Sequence, residues 1–290
     1  MTARGRLLSG LVTIVIALAG FVTVGALPAA ANSDNVQYVA LGDSYAAGVG
    51  AGSYDGTPCL RSSNGYPGVL ARSESRIVLQ VNATCAGATI TYVADNLPSE
   101  LNRDTRLVTL TVGGNDLGFA GLAGPCLAGT LEPEDCLAAI DNAVAVDRLS
   151  DLGRALTGLY AQVADAAPEA RIVVTGYPFL FEPPAAGDPS PSAEIINRLR
   201  EATALLNDTI EEAVAATREA DVKIVYVDVT AAFVGHGIGT RDPQDLFINR
   251  PGPTPSVEDF HPNVAGYVTY ADAIATKLPN GWLDKNKQLV

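Results

Sequence analysis

Two histidines, His236 and His261, are the only imidazoles in this 290-residue chain, and none of its four cysteines sits in a C-x-x-C pair. A zinc site built from closely spaced Cys and His is therefore not expected. Aromatic residues make up 6% of the chain, with a single Trp, too few for an obvious stripe on which sugar rings could stack. Basic side chains are scarce as well: 19 Lys and Arg stand against 32 Asp and Glu, a net charge of -13. Such a surface repels nucleic acid and anionic membranes over a Debye length of about 8–10 Å, while leaving neutral and zwitterionic substrates open. No internal repeat and no linker divides the chain. Only its first residues hold an uninterrupted apolar run long enough to span a bilayer.

That run has the layout of a secretory signal peptide. Arg4 and Arg6 make a positive start, Leu7 to Leu27 is uncharged and apolar, and Ala29-Ala30-Ala31 offers small residues to a peptidase. An uncleaved membrane anchor is the alternative, since about 20 apolar residues can cross a bilayer. The Pro28-Ala-Ala-Ala ending, with no basic stop-transfer cluster after it, favours cleavage after Ala31. Residues 32–290 are then expected to form one extracellular domain, monomeric and without stable membrane insertion. Export also gives the even cysteine count a meaning: Cys59, Cys85, Cys126 and Cys136 are expected to form two disulfides. Three connectivities are possible; pairing of neighbours, Cys59–Cys85 and Cys126–Cys136, is the expectation. The second would close a short Gly- and Pro-containing loop, a staple of about 3 kcal/mol.

From residue 32 onward, short apolar runs alternate with helical stretches. Residues 36–41, 76–81, 106–112, 171–175 and 222–227 are β-branched and nearly continuously apolar. This suits parallel strands covered on both faces. Between them, Leu149, Leu152, Leu156, Leu159 and Val163 make one helical stripe, and Ile195, Leu199, Ala202, Leu206, Ile210 and Ala213 another. Ser190-Pro191 reads as a cap and first-turn pair for the second, and a last helix is expected from Pro262 to about Lys277. The alternation predicts a three-layer α/β/α domain around a parallel five-stranded sheet. Two long irregular regions, 177–191 and 230–260, stand out as functional or mobile loops.

Two strands end in suggestive turns. The first runs into Gly42-Asp43-Ser44-Tyr45, the third into Gly113-Gly114-Asn115-Asp116. Both turns fall at the carboxyl edge of the sheet, where open α/β folds bind ligands. Taken singly, each has an ordinary reading: Asp43 or Ser44 as a helix cap, Gly-Asn as a turn. Near the end comes Ser256-Val-Glu258-Asp259-Phe260-His261-Pro262-Asn263. A nucleophilic serine needs a base that is neutral near pH 7, and imidazole is the usual one; otherwise His261 is only a polar residue at a helix start.

Together these pieces resemble the SGNH, or GDSL-type, hydrolases, a family named for Ser, Gly, Asn and His in four blocks. Ser44 in Gly-Asp-Ser-Tyr fits the first, Gly87 in Cys85-Ala-Gly-Ala the second, Asn115 in Gly-Gly-Asn-Asp the third and His261 the fourth. Order and spacing agree over nearly all of residues 36–277. The likeness is strongest to secreted actinobacterial lipases, esterases and phospholipases, through residues 42–52 and Asn64-Gly-Tyr-Pro67. The resemblance implies a flavodoxin-like sheet, a Ser44 nucleophile, a His261 base, and an oxyanion hole from the Ser44 and Gly87 N–H groups and the Asn115 amide, with no metal or organic cofactor. Asp43 is expected to brace its turn rather than react, and His236 to be structural or at the rim.

Two departures stand out. The family's last block is Asp-x-x-His, but here Glu258 holds the aspartate position and Asp259 lies two residues before His261. In similar secreted enzymes a backbone carbonyl replaces the aspartate. The third member is thus the Asp259 carbonyl, which is the expectation, or the Asp259 or Glu258 side chain, or nothing beyond a dyad. Secondly, those enzymes often link the two long loops by a third disulfide, and this chain has no cysteine there. Phe179, Leu180, Phe181, Phe233, Leu246, Phe247 and Ile248 in the loops are candidates to line an acyl groove, or to pack the loops down. The expected partner is a small-molecule or lipid ester. Hydrolysis, acyl transfer by the same acyl-enzyme and phospholipase action remain open, with a non-catalytic binding module as the outside alternative. Asn82-Ala-Thr84 and Asn207-Asp-Thr209 match the glycosylation pattern and are read as chance.

Overall fold

Five parallel strands lie in the order β2-β1-β3-β4-β5: β1 (Val36–Gly42), β2 (Ile77–Asn82), β3 (Leu107–Thr111), β4 (Arg171–Thr175) and β5 (Ile224–Val227). All five expected strands are present, β4 with the expected bounds and the others displaced by a residue or two at their ends. The computed structural model describes Met1, residues 35–127 and residues 130–284. The apolar leader and its cleavage site lie outside the described residues. Among the described residues no helix is long and apolar enough to cross a bilayer.

The central strands β1, β3 and β4 are buried on both faces and chiefly apolar because both faces are covered, with Thr109, Thr111 and Thr175 as buried polar exceptions. On one side lie α3 (Ile90–Asp95), α6 (Val146–Ala166) and α7 (Pro191–Arg218). The stripe Leu152, Leu156, Leu159 and Val163 of α6 and Leu206, Ile210 and Ala213 of α7 bury into Val39, Leu41, Val108 and Leu110. Each such side chain contributes about 1.5–3 kcal/mol of burial. On the other side α2 (Tyr66–Ser73) and α8 (Val264–Ala275) pack Tyr66, Leu70, Tyr267, Tyr270 and Ile274 against Tyr38 and Ala40. A smaller cluster joins α4 (Ala123–Leu127) and α5 (Pro133–Ala143) to the start of α7. The architecture is the expected three-layer α/β/α sandwich, with flavodoxin-like strand order.

Local chemistry marks the helix starts. Ser190 accepts the Ala193 N–H at 3.2 Å, with Pro191 in the first turn of α7. The last helix differs from expectation: Pro262 does not open it. Asn263 is the cap, accepting the Gly266 N–H at 3.0 Å, and α8 begins at Val264. An amide oxygen satisfies a free helix N–H, which Pro262 cannot do from outside the helix. The short helices α2, α3, α4 and α5 have no long apolar stripe of their own and are not legible from periodicity.

The cysteines pair as neighbours, Cys59–Cys85 and Cys126–Cys136. The two long loops are joined without a disulfide. Glu182 N–H donates to Ile238 O at 2.9 Å and Ile238 N–H to Leu180 O at 2.8 Å, and the Glu182 carboxylate accepts the N–H groups of Gly235 and Gly237.

Candidate active site

The chain leaves β1 for β2 on one side and later crosses to β3 on the other. The carboxyl ends of β1 and β3 therefore flank the switch point where such sheets bind ligands. At the end of β1, Gly42 has φ +129°, and a Cβ there would lie 2.2 Å from the Thr111 carbonyl of β3. Glycine lets the two strands stay paired to their last residue. Asp43 then caps the short helix α1 (Ser44–Ala47), its Oδ1 accepting the Tyr45 N–H at 2.9 Å. Ser44 is thereby the first helical residue, displayed at the sheet edge.

His261 reaches Ser44 from the C-terminal loop: its Nε2 lies 2.8 Å from Ser44 Oγ, and its Nδ1 3.0 Å from the Asp259 carbonyl oxygen. The intervening Phe260 adopts φ +63°, a left-handed conformation costly for a bulky residue. It is held by three contacts: Phe260 N–H donates to Asn249 O at 3.0 Å, the Tyr45 hydroxyl donates to Phe260 O at 2.8 Å, and its ring packs on Phe181. Neither nearby carboxylate engages the imidazole. The Asp259 carboxylate accepts the Ser256 N–H at 2.9 Å, and Glu258 accepts the Tyr54 hydroxyl at 2.6 Å. Burial lowers the His261 pKa from its ordinary value, opposed by the Asp259 carbonyl and by the negative charges of Asp259 and Glu258. Nδ1–H on the carbonyl leaves Nε2 free to accept the Ser44 proton.

The Gly87 and Asn115 turns close the other side. Asn115 Nδ2 donates to Ala88 O at 2.9 Å, and the Asp116 carboxylate accepts the Ile90 N–H at the start of α3. Cys85 N–H donates to Gly42 O and Ala86 N–H to Cys59 O. The Gly87 turn is thus pinned to β1 and to the 59–85 disulfide. Gly87 has φ +78° and borders the cavity; its N–H has no protein acceptor among the described residues.

Ser44, Gly87, Asn115, Asp259 and His261 all line one cavity of about 550 Å3. Its wall is chiefly apolar: Leu180 and Phe181 from the first long loop, Phe119 and Ala123 near α4, and Leu199 and Leu206 of α7. The loop candidates thus divide. Phe179 lies beneath the Arg200 guanidinium. Phe233 and Ile248 are buried against α8, with Phe247 packed beside them. His236 stacks on Phe247 at 3.8 Å and its Nδ1 contacts Asp245 O, away from the cavity. Leu246 lends its carbonyl to Asn263. Asn207, one of the sequons, is buried and engaged with the backbone of Tyr177.

Sequence reasoning missed Tyr45 and Tyr177, which line the cavity beside Ser44. Tyr177 follows β4 at the same carboxyl edge, a position that could have flagged it. Its hydroxyl donates to Asp43 Oδ2 at 2.5 Å. Burial pushes the Asp43 carboxyl up to about 7, although the Tyr177 hydroxyl and the Tyr45 N–H both favour its charged form.

Comparison with known proteins agrees with this architecture. Residues 40–268 match the GDSL-like lipase/acylhydrolase family. Lipase 1 of Streptomyces coelicolor is 35% identical over 274 residues, spanning 91% of this chain and 94% of that protein. A lipase of Streptomyces rimosus is 36% identical over 233 residues, spanning 79% and 81%. Among solved structures, phospholipase A1 from Streptomyces albidoflavus superposes with a TM-score of 0.74 at 32% identity, covering 84% of this chain and all of that one. The extracellular lipase from Streptomyces rimosus gives 0.74 at 29% identity, with the same coverage. With a serine and histidine in contact at the switch point and a family match across most of its length, the chain belongs to the GDSL-like lipase/acylhydrolase family and is a carboxylic ester hydrolase.

Proposed function

We propose that this chain is a secreted serine esterase or lipase that works through a Ser44 acyl-enzyme. The contact that carries the reading is Ser44 Oγ to His261 Nε2 at 2.8 Å, with His261 Nδ1 on the Asp259 carbonyl. His261 takes the Ser44 proton as Oγ attacks the ester carbonyl, and later gives it to the leaving alcohol. Water, activated by His261 in its turn, releases the acid. The Ser44 N–H at the start of α1, the Gly87 N–H and the second amide hydrogen of Asn115 serve the oxyanion. The apolar wall from Leu180 to Leu206 supports an acyl chain as the group bound. Phospholipase action is the second reading, favoured by the likeness to the Streptomyces albidoflavus phospholipase A1.

The test is hydrolysis of chromogenic esters from short to long acyl chains, and of a phosphatidylcholine, by residues 32–290 and by Ser44→Ala. Wild type should turn over, and the variant should fall by roughly 10^4-fold or more. Equal rates for the two proteins would remove Ser44 from the reaction. The acyl length of highest kcat/KM, and the ester against phospholipid ratio, name the substrate.

A further inference from the structure

We propose that Tyr177 is a positioning residue of this site, its single hydroxyl locking the nucleophile turn to the turn that carries Asn115. The inference rests on the roles given above to Ser44 and Asn115. The Gly87 turn already has its own ties, to β1 through Cys85 and to the third block through Asn115 and Asp116. Main-chain pairing joins the two strands as far as Asp43 N–H on Thr111 O; beyond it, among the described residues, Tyr177 is the side chain that hydrogen-bonds both turns.

The phenol is buried, and both capacities of its oxygen are used. It donates to Asp43 Oδ2 at 2.5 Å and accepts the Gly114 N–H at 3.1 Å. The other Asp43 oxygen holds the Tyr45 N–H in the first turn of α1, next to Ser44. Gly114 directly precedes Asn115. Tyr177 has little freedom of its own. Its N–H donates to Asn207 Oδ1 at 2.8 Å, and Asn207 Nδ2 donates to its carbonyl at 2.9 Å. Its ring meets Tyr45 edge-on at 5.1 Å. On its other side the phenol faces the Gly114 backbone, where a Cβ would meet the Tyr177 hydroxyl oxygen in ordinary contact at 3.4 Å.

Oxyanion donors act only when they meet the developing charge at about 2.7–3.1 Å, so a small relative shift of the two turns weakens transition-state binding. The apolar wall assigned to the acyl chain, from Leu180 and Phe181 to Phe119, Ala123, Leu199 and Leu206, holds none of the groups this hydroxyl bonds. Loss of the hydroxyl should therefore lower kcat and spare KM. A hydroxyl that merely satisfied buried polar atoms would cost stability and leave kcat alone.

The experiment compares wild type, Tyr177→Phe, Asp43→Ser and the double variant. Phe keeps the ring packing and removes both bonds; Ser keeps a cap acceptor for the Tyr45 N–H and is too short to reach the Tyr177 hydroxyl. We expect kcat of Tyr177→Phe to fall about 10- to 100-fold at a KM within about twofold, part of the loss of a full oxyanion donor. The double variant should be no slower than the worse single, since both break the same tie. A kcat within about twofold of wild type, a loss confined to KM, or additive losses in the double variant would overturn the proposal. Should Tyr177→Phe not fold, Asp43→Ser breaks the bond from its other end, and the same split of kcat from KM decides. Amide hydrogen exchange at Gly114 and Asn115, expected to quicken in Tyr177→Phe, reports the tie without any turnover. Unchanged protection would refute the lock even if wild type hydrolysed no ester, an outcome that would instead sink the hydrolase reading.

Discussion

At the scale of single residues, the orienting partner of His261 is the atom most open to test. A carbonyl acceptor sets the imidazole tautomer but brings no full charge to the imidazolium that forms. It also makes the side chain at that position dispensable. Asp259→Asn can still accept the Ser256 N–H, and its main-chain oxygen is untouched. We expect kcat within about tenfold of wild type, against roughly 10^4 when the carboxylate of a Ser-His-Asp triad is neutralised. A loss approaching the larger figure would return the role to the carboxylate. The pH profile belongs to the same scale. Only neutral His261 can act as base, and burial lowers its pKa. The acid limb of kcat/KM should therefore have its midpoint below the ordinary imidazole value of about 6.5, with activity lost as pH falls through it. A midpoint at or above that value would argue that His261 is solvated in the working enzyme.

At the scale of elements, the two disulfides are chemically alike but stand in different places. Cys59–Cys85 anchors the turn whose Gly87 faces the cavity, through Ala86 N–H on Cys59 O and Cys85 N–H on Gly42 O. Cys126–Cys136 staples α4 to α5 at the outer wall. Each closes a loop and should contribute about 2–4 kcal/mol to stability. Their effects on turnover should diverge. Replacing Cys59 and Cys85 by Ala should lower kcat on a short ester at temperatures where the variant is folded, while the Cys126 and Cys136 pair changes mainly the melting temperature and long-chain KM. Equal kcat losses in the two double variants would count against a positioning role for the first disulfide.

The expectation of one exported domain, acting on neutral or zwitterionic esters, is made at the scale of the whole molecule. The net charge of -13 is unsuited to anionic surfaces. Protein recovered from culture medium should begin at Asn32, a point read by intact mass; retention of residues 1–31 in the membrane fraction would favour the anchor instead. At this scale most of the fold was legible. Each strand run is short, β-branched and apolar because the sheet is covered on both sides, and α6 and α7 announce themselves by stripes that bury as read. The catalytic candidates came into view through the likeness of four blocks to the SGNH hydrolases, since Ser44 after β1 and Asn115 after β3 taken singly also read as a cap and a turn.

What the amino-acid order determined alone is local: strand periodicity, the Asp43 and Ser190 caps, the glycines that permit tight turns, and the Ser, Gly, Asn and His blocks. Tertiary structure decided what depends on distance in space. It turned the Asp259 carbonyl, rather than either carboxylate, toward His261, because Phe260 is held left-handed by Asn249, Tyr45 and Phe181, all remote in sequence. It drew Phe119, Ala123 and Leu199 into the cavity wall and sent Phe233 and Ile248 beneath α8. It also set Tyr177 between Asp43 and Gly114. No periodicity encodes such meetings, because each is fixed by how the layers pack and not by the spacing of residues along one of them.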